Sequence, residues 1–496
     1  MKKILVSILS VVSLLWSTGC EDYLDVNETP NNPLAVTPDV LLPTVLAGAA
    51  FVNANALNRF TSTVMQYNYG AAGGPRGYDV YILDGTDFNN QWEFEIYGGA
   101  LINGRQCITA AEEINGNAYI GISKIMQAYV FALTTDFWGD IPYSEALLGD
   151  SAVIQPDLDP QELIYLGGEV DGRTVQSLFD LTREGLSFLG MESAVSPGAD
   201  DIVYGGDVDL WRRAGNTLLL KLAMQLSEVA PERAQQEIQS VISQGTGGEA
   251  VYMTENAHDL NVNFGGSVGS QSPVYSYTNL GIFQNDMALS SRFQTRLEGL
   301  NDPRLPIFYT QTEGEYVSFE NGFRGSLPNP ETYSQFNAYV TGANGEGPVR
   351  LLTNFQTKFI LAEAALRFGI TQAGTAQELY QAGIRASMEL AGIEGTAIDA
   401  YFAANPNVVT LSGSTEEQLA QIIEQKYIAF TGYGYESWND FRRTGYPTLP
   451  LSLNADGVDG TIPLRVFYTA ETITNNENVP STPPASNVPV WWDVNN

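Results

Sequence analysis

Ser267 stands at the centre of Gly265–Gly269, a literal G-x-S-x-G, the spacing that presents a nucleophilic serine on a tight strand-to-helix turn. Such a serine needs a histidine base, and in that chain order the histidine follows the serine. The only histidine, His258, precedes it, so the phrase reads as a glycine-rich turn and not as an esterase site. One histidine, with cysteines only at Cys20 and Cys107, supplies no ligand set for a usual zinc site. Glycoside hydrolysis asks for two carboxylates about 5 to 10 Å apart. Among 57 acidic residues the plainer reading is a solvated acidic surface. Asp207 with Asp209, and Asp456 with Asp459, do not follow the twelve-residue ligand spacing of a specific calcium loop, so no metal and no cofactor is expected.

What remains is recognition by aromatic rings. A glycan presents C–H faces that stack on Tyr and Trp while Asn, Gln and Asp fix its hydroxyls; a peptide would use backbone hydrogen bonds and shallower pockets. Tyr78, Tyr81, Trp92, Tyr275 and Tyr277 are the candidate ligand-binding residues, because they lie in or border non-helical, glycine-rich sequence. The chain therefore reads as a binder. A glycan-degrading enzyme on the cell surface and a non-binding helical-repeat scaffold that uses its helices only for protein contacts are the alternatives.

Charge narrows the partners. Lys plus Arg is 24 against 57 Asp plus Glu, a formal net charge of -33. No run of cations longer than two appears, so neither a nucleic-acid groove nor an anionic-lipid patch is expected. The first 19 residues read as a leader: Lys2 and Lys3 precede an apolar stretch, Ile4 to Trp16, about 20 Å long as a helix and too short to span a bilayer. No later window reads as a membrane span. Glu21 to Pro38, with its prolines and asparagines, reads as a tether (20–38 with Cys20) before a single folded body over 39–496. Cys107 reads as a small buried apolar residue.

Helices must position the rings. From Asp39 the sequence is helical to about Met65, and Tyr67 to Phe88 is glycine-rich. Helical pairs are expected near 92–135, 174–227, 354–390 and 415–443. In the first, Ile122, Met126, Tyr129 and Leu133 form one stripe, and Gly139 and Pro142 stop the helix at D-F-W-G-D-I-P-Y-S-E-A, Asp136 to Ala146, where Phe137 and Trp138 read as a structural anchor. Residues 245–350 are poor in helical period and read as a loop-rich insertion, as does the proline-rich stretch from Asp456 to Asn496. Hairpins of this length resemble tetratricopeptide units, which stack because no single pair hides its apolar face.

Several phrases resemble the SusD/RagB family in order along the chain: D-F-W-G at Asp136; the helix from Trp211 with Asn216, Leu218, Lys221 and Leu222; N-D-P-R-L, Asn301 to Leu305; F-I-L-A-E-A-A, Phe359 to Ala365; E-S-W-N-D-F-R-R-T-G-Y-P, Glu436 to Pro447; and Ile462, Pro463, Arg465, Tyr468 and Glu471. Thr217, Lys221 and Thr469 depart from the commoner Ser, Arg and Pro. Ser17, Thr18 and Gly19 before Cys20 resemble a bacterial lipobox, with Ser17 where Leu is usual, and Glu21 and Asp22 resemble a surface-export tag of Bacteroidota lipoproteins. The resemblance implies a mainly α, SusD-like superhelical fold with long irregular insertions. It also implies a cell-surface lipoprotein, lipidated at Cys20, that captures oligosaccharide or oligopeptide beside a SusC-like TonB-dependent transporter in the outer membrane and passes it inward without catalysis.

Overall fold

The computed structural model describes residues 36–245 and 249–495. The leader (1–19), Cys20 and nearly all of the tether lie outside the described residues.

Two glycines set a helix crossing on which the frame is built. The Asn117–Trp138 and Leu178–Leu189 helices meet at Gly121 and Gly185, where a Cβ on the first would lie 2.7 Å from the carbonyl oxygen of the second, and the reverse 2.8 Å. Bare backbone on both sides lets them touch. Neighbours continue the row: Leu178–Leu189 packs on Val208–Gln225, which packs on Pro231–Ser243 and Asn354–Phe368. That helix pairs with Ala376–Leu390 and receives Thr415–Ala429. The architecture is mainly α, stacked helical hairpins with long excursions; the strands among the described residues form two-stranded sheets only.

Helix ends follow local chemistry. Asn354–Phe368 and Ala376–Leu390 occupy the expected ranges, the first closed by Gly369 at φ 67° and the second opened by a capping box of Thr375 and Glu378. The second pair begins later than expected, at Leu178, because Arg173–Val175 pairs with Gly168–Val170 as a hairpin and Ser177 then caps the helix through the Asp180 amide. The fourth is a pair in sequence more than in space: Gly434–Thr444 packs chiefly on Ala56–Val64. Pro231–Ser243 was legible in Pro231 at the first turn and the Ala234, Ile238, Val241 stripe, yet falls outside the expected pairs.

Burial of Asn117–Trp138 is wider than one stripe. Ile122, Met126, Tyr129 and Leu133 are buried, and so are Ile125, Ala128, Val130 and Ala132, because helices flank it on several sides. Pro38–Val64, against the reading of no later span, is by length and composition able to cross a membrane. It is broken at Asn55 into Pro38–Ala54 and Ala56–Val64, and Leu42, Leu46, Ala49 and Phe60 are fully buried, the pattern of a core helix. Cys107 is also buried, and burial pushes its thiol up to about 11.

The exit turn is the hub of the frame. The fully buried Asp136 carboxylate accepts from Tyr165 Oη (2.7 Å), Trp492 Nε1 (2.9 Å), Tyr435 Oη (2.7 Å) and Asn439 Nδ2 (2.7 Å), so every oxygen is satisfied. Arg442 donates to the carbonyls of Asp136 and Leu464 while its guanidinium lies 3.4 Å and 4.5 Å from the Trp438 and Trp492 ring centres. Arg443 grips the Glu363 carboxylate with two nitrogens, at 2.5 and 2.9 Å. Lys221 pairs with Glu436 at 3.2 Å. Phrases far apart in sequence are thus tied to one another inside the body.

Candidate functional site

The short strand Asn68–Gly70 pairs antiparallel with Met287–Leu289, and this brings the glycine-rich turn after the first strand against the loop before the second. Ala71 and Ala72 donate their amides to the Asp286 carbonyl, and a Cβ on Gly73 would sit 2.5 Å from the Asp286 carboxylate. The loop Leu280–Asp286 is therefore held at its end, while Gly281 (φ 64°) and Asn285 (φ 72°) turn its middle outward. Leu280, Ile282 and Phe283 are 39%, 87% and 45% exposed. Exposed apolar side chains clustered in one loop and rimmed by polar groups mark a binding surface.

Arg59 braces that surface from below. Its guanidinium lies 4.6 Å from the Phe283 ring centre and 5.8 Å from that of Tyr277, and it pairs with Asp286 at 2.6 Å. Burial raises the Asp286 carboxyl from its ordinary value, and Arg59 opposes the rise. Gln335 Nε2 donates to Asn285 Oδ1 at 2.5 Å, joining a third loop to the rim. The arrangement offers a ring face, two aliphatic side chains and side-chain amides, which is the chemistry of stacking and hydroxyl binding.

The five expected residues divide around this face. Tyr277, at 3% exposure, accepts from Asn58 Nδ2 at 2.9 Å and is a support beneath Arg59. Tyr275 is half-buried on Pro273–Asn279, the helix leading into the loop, and lies against Gly345. Tyr78, Tyr81 and Trp92 are 6%, 1% and 6% exposed, which corrects the expectation of rings displayed by glycine-rich chain. Tyr78 packs on Phe60 at 5.5 Å, because the loop folds back onto the helix before it. Tyr81 is covered by the C-terminal segment: its hydroxyl accepts from the Ser452 amide at 2.9 Å, and Val80 receives the amides of Asp456 and Gly457. Trp92 packs on Trp138 at 5.0 Å and lines a separate cleft. Leu280, Ile282 and Phe283 escaped the sequence reading; their signal was an apolar cluster in N-L-G-I-F-Q-N with no helical or strand period.

His258 is engaged locally, its ring within 3.2 Å of the Thr254 amide and 3.0 Å of Glu255. No group of three or more metal-ligating side chains occurs among the described residues.

A helical-hairpin body that carries an exposed apolar cluster with one ring, Phe283, on an inserted loop has the form of a binding scaffold. Residues 30–469 match the family model SusD-like, described as starch-binding and associating with the outer membrane, and the chain belongs to that family. Membership carries the family's coarse role, nutrient binding in association with the outer membrane. Solved structures agree in fold. A chitin-binding protein superposes with a TM-score of 0.76 at 23% identity, over 92% of this chain and 100% of its own. A chitin-binding SusD homologue from Flavobacterium johnsoniae gives 0.74 at 23% identity, over 92% and 98%. A SusD homologue from Bacteroides fragilis gives 0.74 at 22% identity, over 92% and 100%. No curated protein matches the chain in sequence.

Proposed function

We propose that the chain captures oligosaccharide on the Leu280–Asp286 face and delivers it to a SusC-like TonB-dependent transporter, held at the cell surface by lipid on Cys20. The reading rests on the exposure of Ile282 and Phe283 over a guanidinium that keeps the ring in place. Sugar C–H faces stack on such a ring, and Asn285 and Gln335 stand where hydroxyls would meet amides. The family description and the chitin-binding relatives favour glycan over peptide cargo. Several acyl chains on Cys20, each buried methylene contributing about 0.8 kcal/mol, would hold this chain in the membrane that holds the barrel, so their contact need not be strong.

The test is a panel of neutral oligosaccharides titrated against the mature protein. A member of the panel binds, and Ile282→Ala/Phe283→Ala weakens it by about tenfold or more. Unchanged affinity in the double variant sinks the site. For delivery, detergent-solubilised outer membrane is the material, and recovery of the tagged protein without a barrel partner counts against the transporter. Cys20→Ala should release the protein from membranes.

A further inference from the structure

Gln91–Leu101 is a π-helix, and the wide turn has a cause in the sequence. A Cβ on Gly98 or Gly99 would lie 2.5 Å from the carbonyl oxygen of Glu93 or Phe94, five residues back, so only glycine fits there. The wide turn places Trp92, Glu93 and Tyr97 along one wall of a cleft of about 370 Å³. The facing wall is the short helix Ala470–Asn475, which brings Glu471 and Thr472, and Ile154 and Pro156 close a third side. The volume lies at the small end of small-molecule sites, enough for a sugar unit or two and not for a long chain.

Three features of this cleft ask for a ligand, and for one kind of ligand. Glu93 and Glu471 are both exposed, yet their carboxyls meet across the opening: the hydrogen bond with Glu471 raises Glu93 from the ordinary glutamate value, and the like charge adds to the rise. A cation seated between them would relieve that repulsion. Second, Trp138, Trp211, Trp438 and Trp492 each donate the indole N–H to a protein oxygen. Trp92 lines the cleft and makes no such bond among the described residues, and its indole nitrogen is not a sealed-off buried atom, so its N–H is open to an acceptor brought by whatever enters the cleft. Third, Trp92 and Tyr97, with ring centres 5.0 Å apart, give the wall an apolar surface.

We propose that this cleft is a second binding site, which takes a protonated amino sugar. Its ammonium sits between Glu93 and Glu471, its C–H face lies against Ile154 and the edges of Trp92 and Tyr97 that line the cleft, and a ring or hydroxyl oxygen accepts the Trp92 indole proton. A lysine side chain would satisfy the carboxylates and the apolar wall but brings no acceptor beside its methylene stem, which is why a sugar fits better. The site is independent of the Leu280–Asp286 face in residues and in ligand charge.

The experiment is calorimetric titration of the full mature chain with a glucosamine tetramer at about pH 6, where an ordinary amine keeps its proton, with tryptophan fluorescence read in parallel. Saturable binding is expected. It should weaken about tenfold or more in Glu93→Gln/Glu471→Gln, whose surface positions leave folding intact, and for the fully N-acetylated tetramer, which has no charge to offer. Trp92→Phe, which keeps a ring and removes the donor, should weaken it several-fold. Ile282→Ala/Phe283→Ala should leave it unchanged, so a failure here is separable from a failure at the loop face. No binding by the natural chain, equal binding of the acetylated tetramer, indifference to the double Gln substitution, or a trilysine peptide that binds as tightly would each overturn the proposal.

Discussion

Asp136 sits among aromatic rings and Phe283 is a ring in an exposed loop; an arginine braces each, and they differ in what is left over. At Asp136 both carboxylate oxygens are filled by protein donors, and Arg442 is spent on two carbonyls and two indole rings. At Phe283 the guanidinium of Arg59 covers one side of the ring, and 45% of the residue remains open to water. A network closed on itself stabilises and has nothing to give a ligand. A ring fixed from one side and bare on the other is pre-ordered for stacking, so little side-chain entropy is lost when a sugar arrives.

The sharpest way to break this contrast is to open the closed site. Asp136→Ala strands four buried donors at once, from Tyr165, Tyr435, Asn439 and Trp492. At about 1–3 kcal/mol for each, the loss is on the order of 5 kcal/mol or more, a large part of any domain's stability. Denaturant midpoints should fall accordingly, or the variant should fail to fold. A shift under about 1 kcal/mol would mean that the hub is not one.

Next comes the ring set that the glycine-rich sequence suggested for binding. Because Tyr78, Tyr81 and Trp92 are buried, their replacement by Ala acts on the frame: Tyr81→Ala alone should cost about 3–5 kcal/mol, and the triple variant should unfold and not merely lose ligand. Thermal melts separate the outcomes. A triple variant that melts like the natural chain yet binds nothing would restore the surface role.

This division explains what the sequence made legible. The phrases at Asp136, Phe359 and Glu436 are the closed network, whose residue types are dictated by one another, and so they reveal the fold: Glu363 is there for Arg443, and Asn439 for Asp136. Helix limits were readable where a cap marks them, as Thr375 and Gly369 do. The π-helix was not, since Gln91–Glu113 has a plausible α pattern and only the spacing of Gly98 to Glu93 betrays the wider turn. Ring exposure was least readable. Whether Tyr81 shows its face depends on Ser452, more than three hundred residues on, and no local pattern carries that.

Acid tests the frame from another side. Burial pushes Asp259 up to about 7, against the amide of Asn354 and the nearby Arg350, which pull it down. A carboxyl whose folded value is raised keeps its full contribution below the unfolded value of about 4 and loses it as pH rises through about 7. The natural chain should therefore lose, relative to Asp259→Asn, on the order of 2–4 kcal/mol between about pH 4 and about pH 8. Comparing the two proteins removes the general effect of a strongly negative chain. Parallel stability curves would show that Asp259 is ionised in the fold throughout.

The smallest stability effect belongs to the open site, and its smallness is what gives it value. Phe283→Ala removes a ring already 45% exposed, so the melting midpoint should move by no more than about 0.5 kcal/mol in equivalent stability. The same change removes the stacking face, worth about 1–1.5 kcal/mol, or roughly tenfold in glycan affinity. Arg59→Ala serves as the second arm. It leaves the ring but takes away its support and strands the buried Asp286 carboxylate, so binding and stability should both fall. If Phe283→Ala instead destabilises as much as Arg59→Ala, the ring is part of the frame, and the difference between the two regions is one of degree.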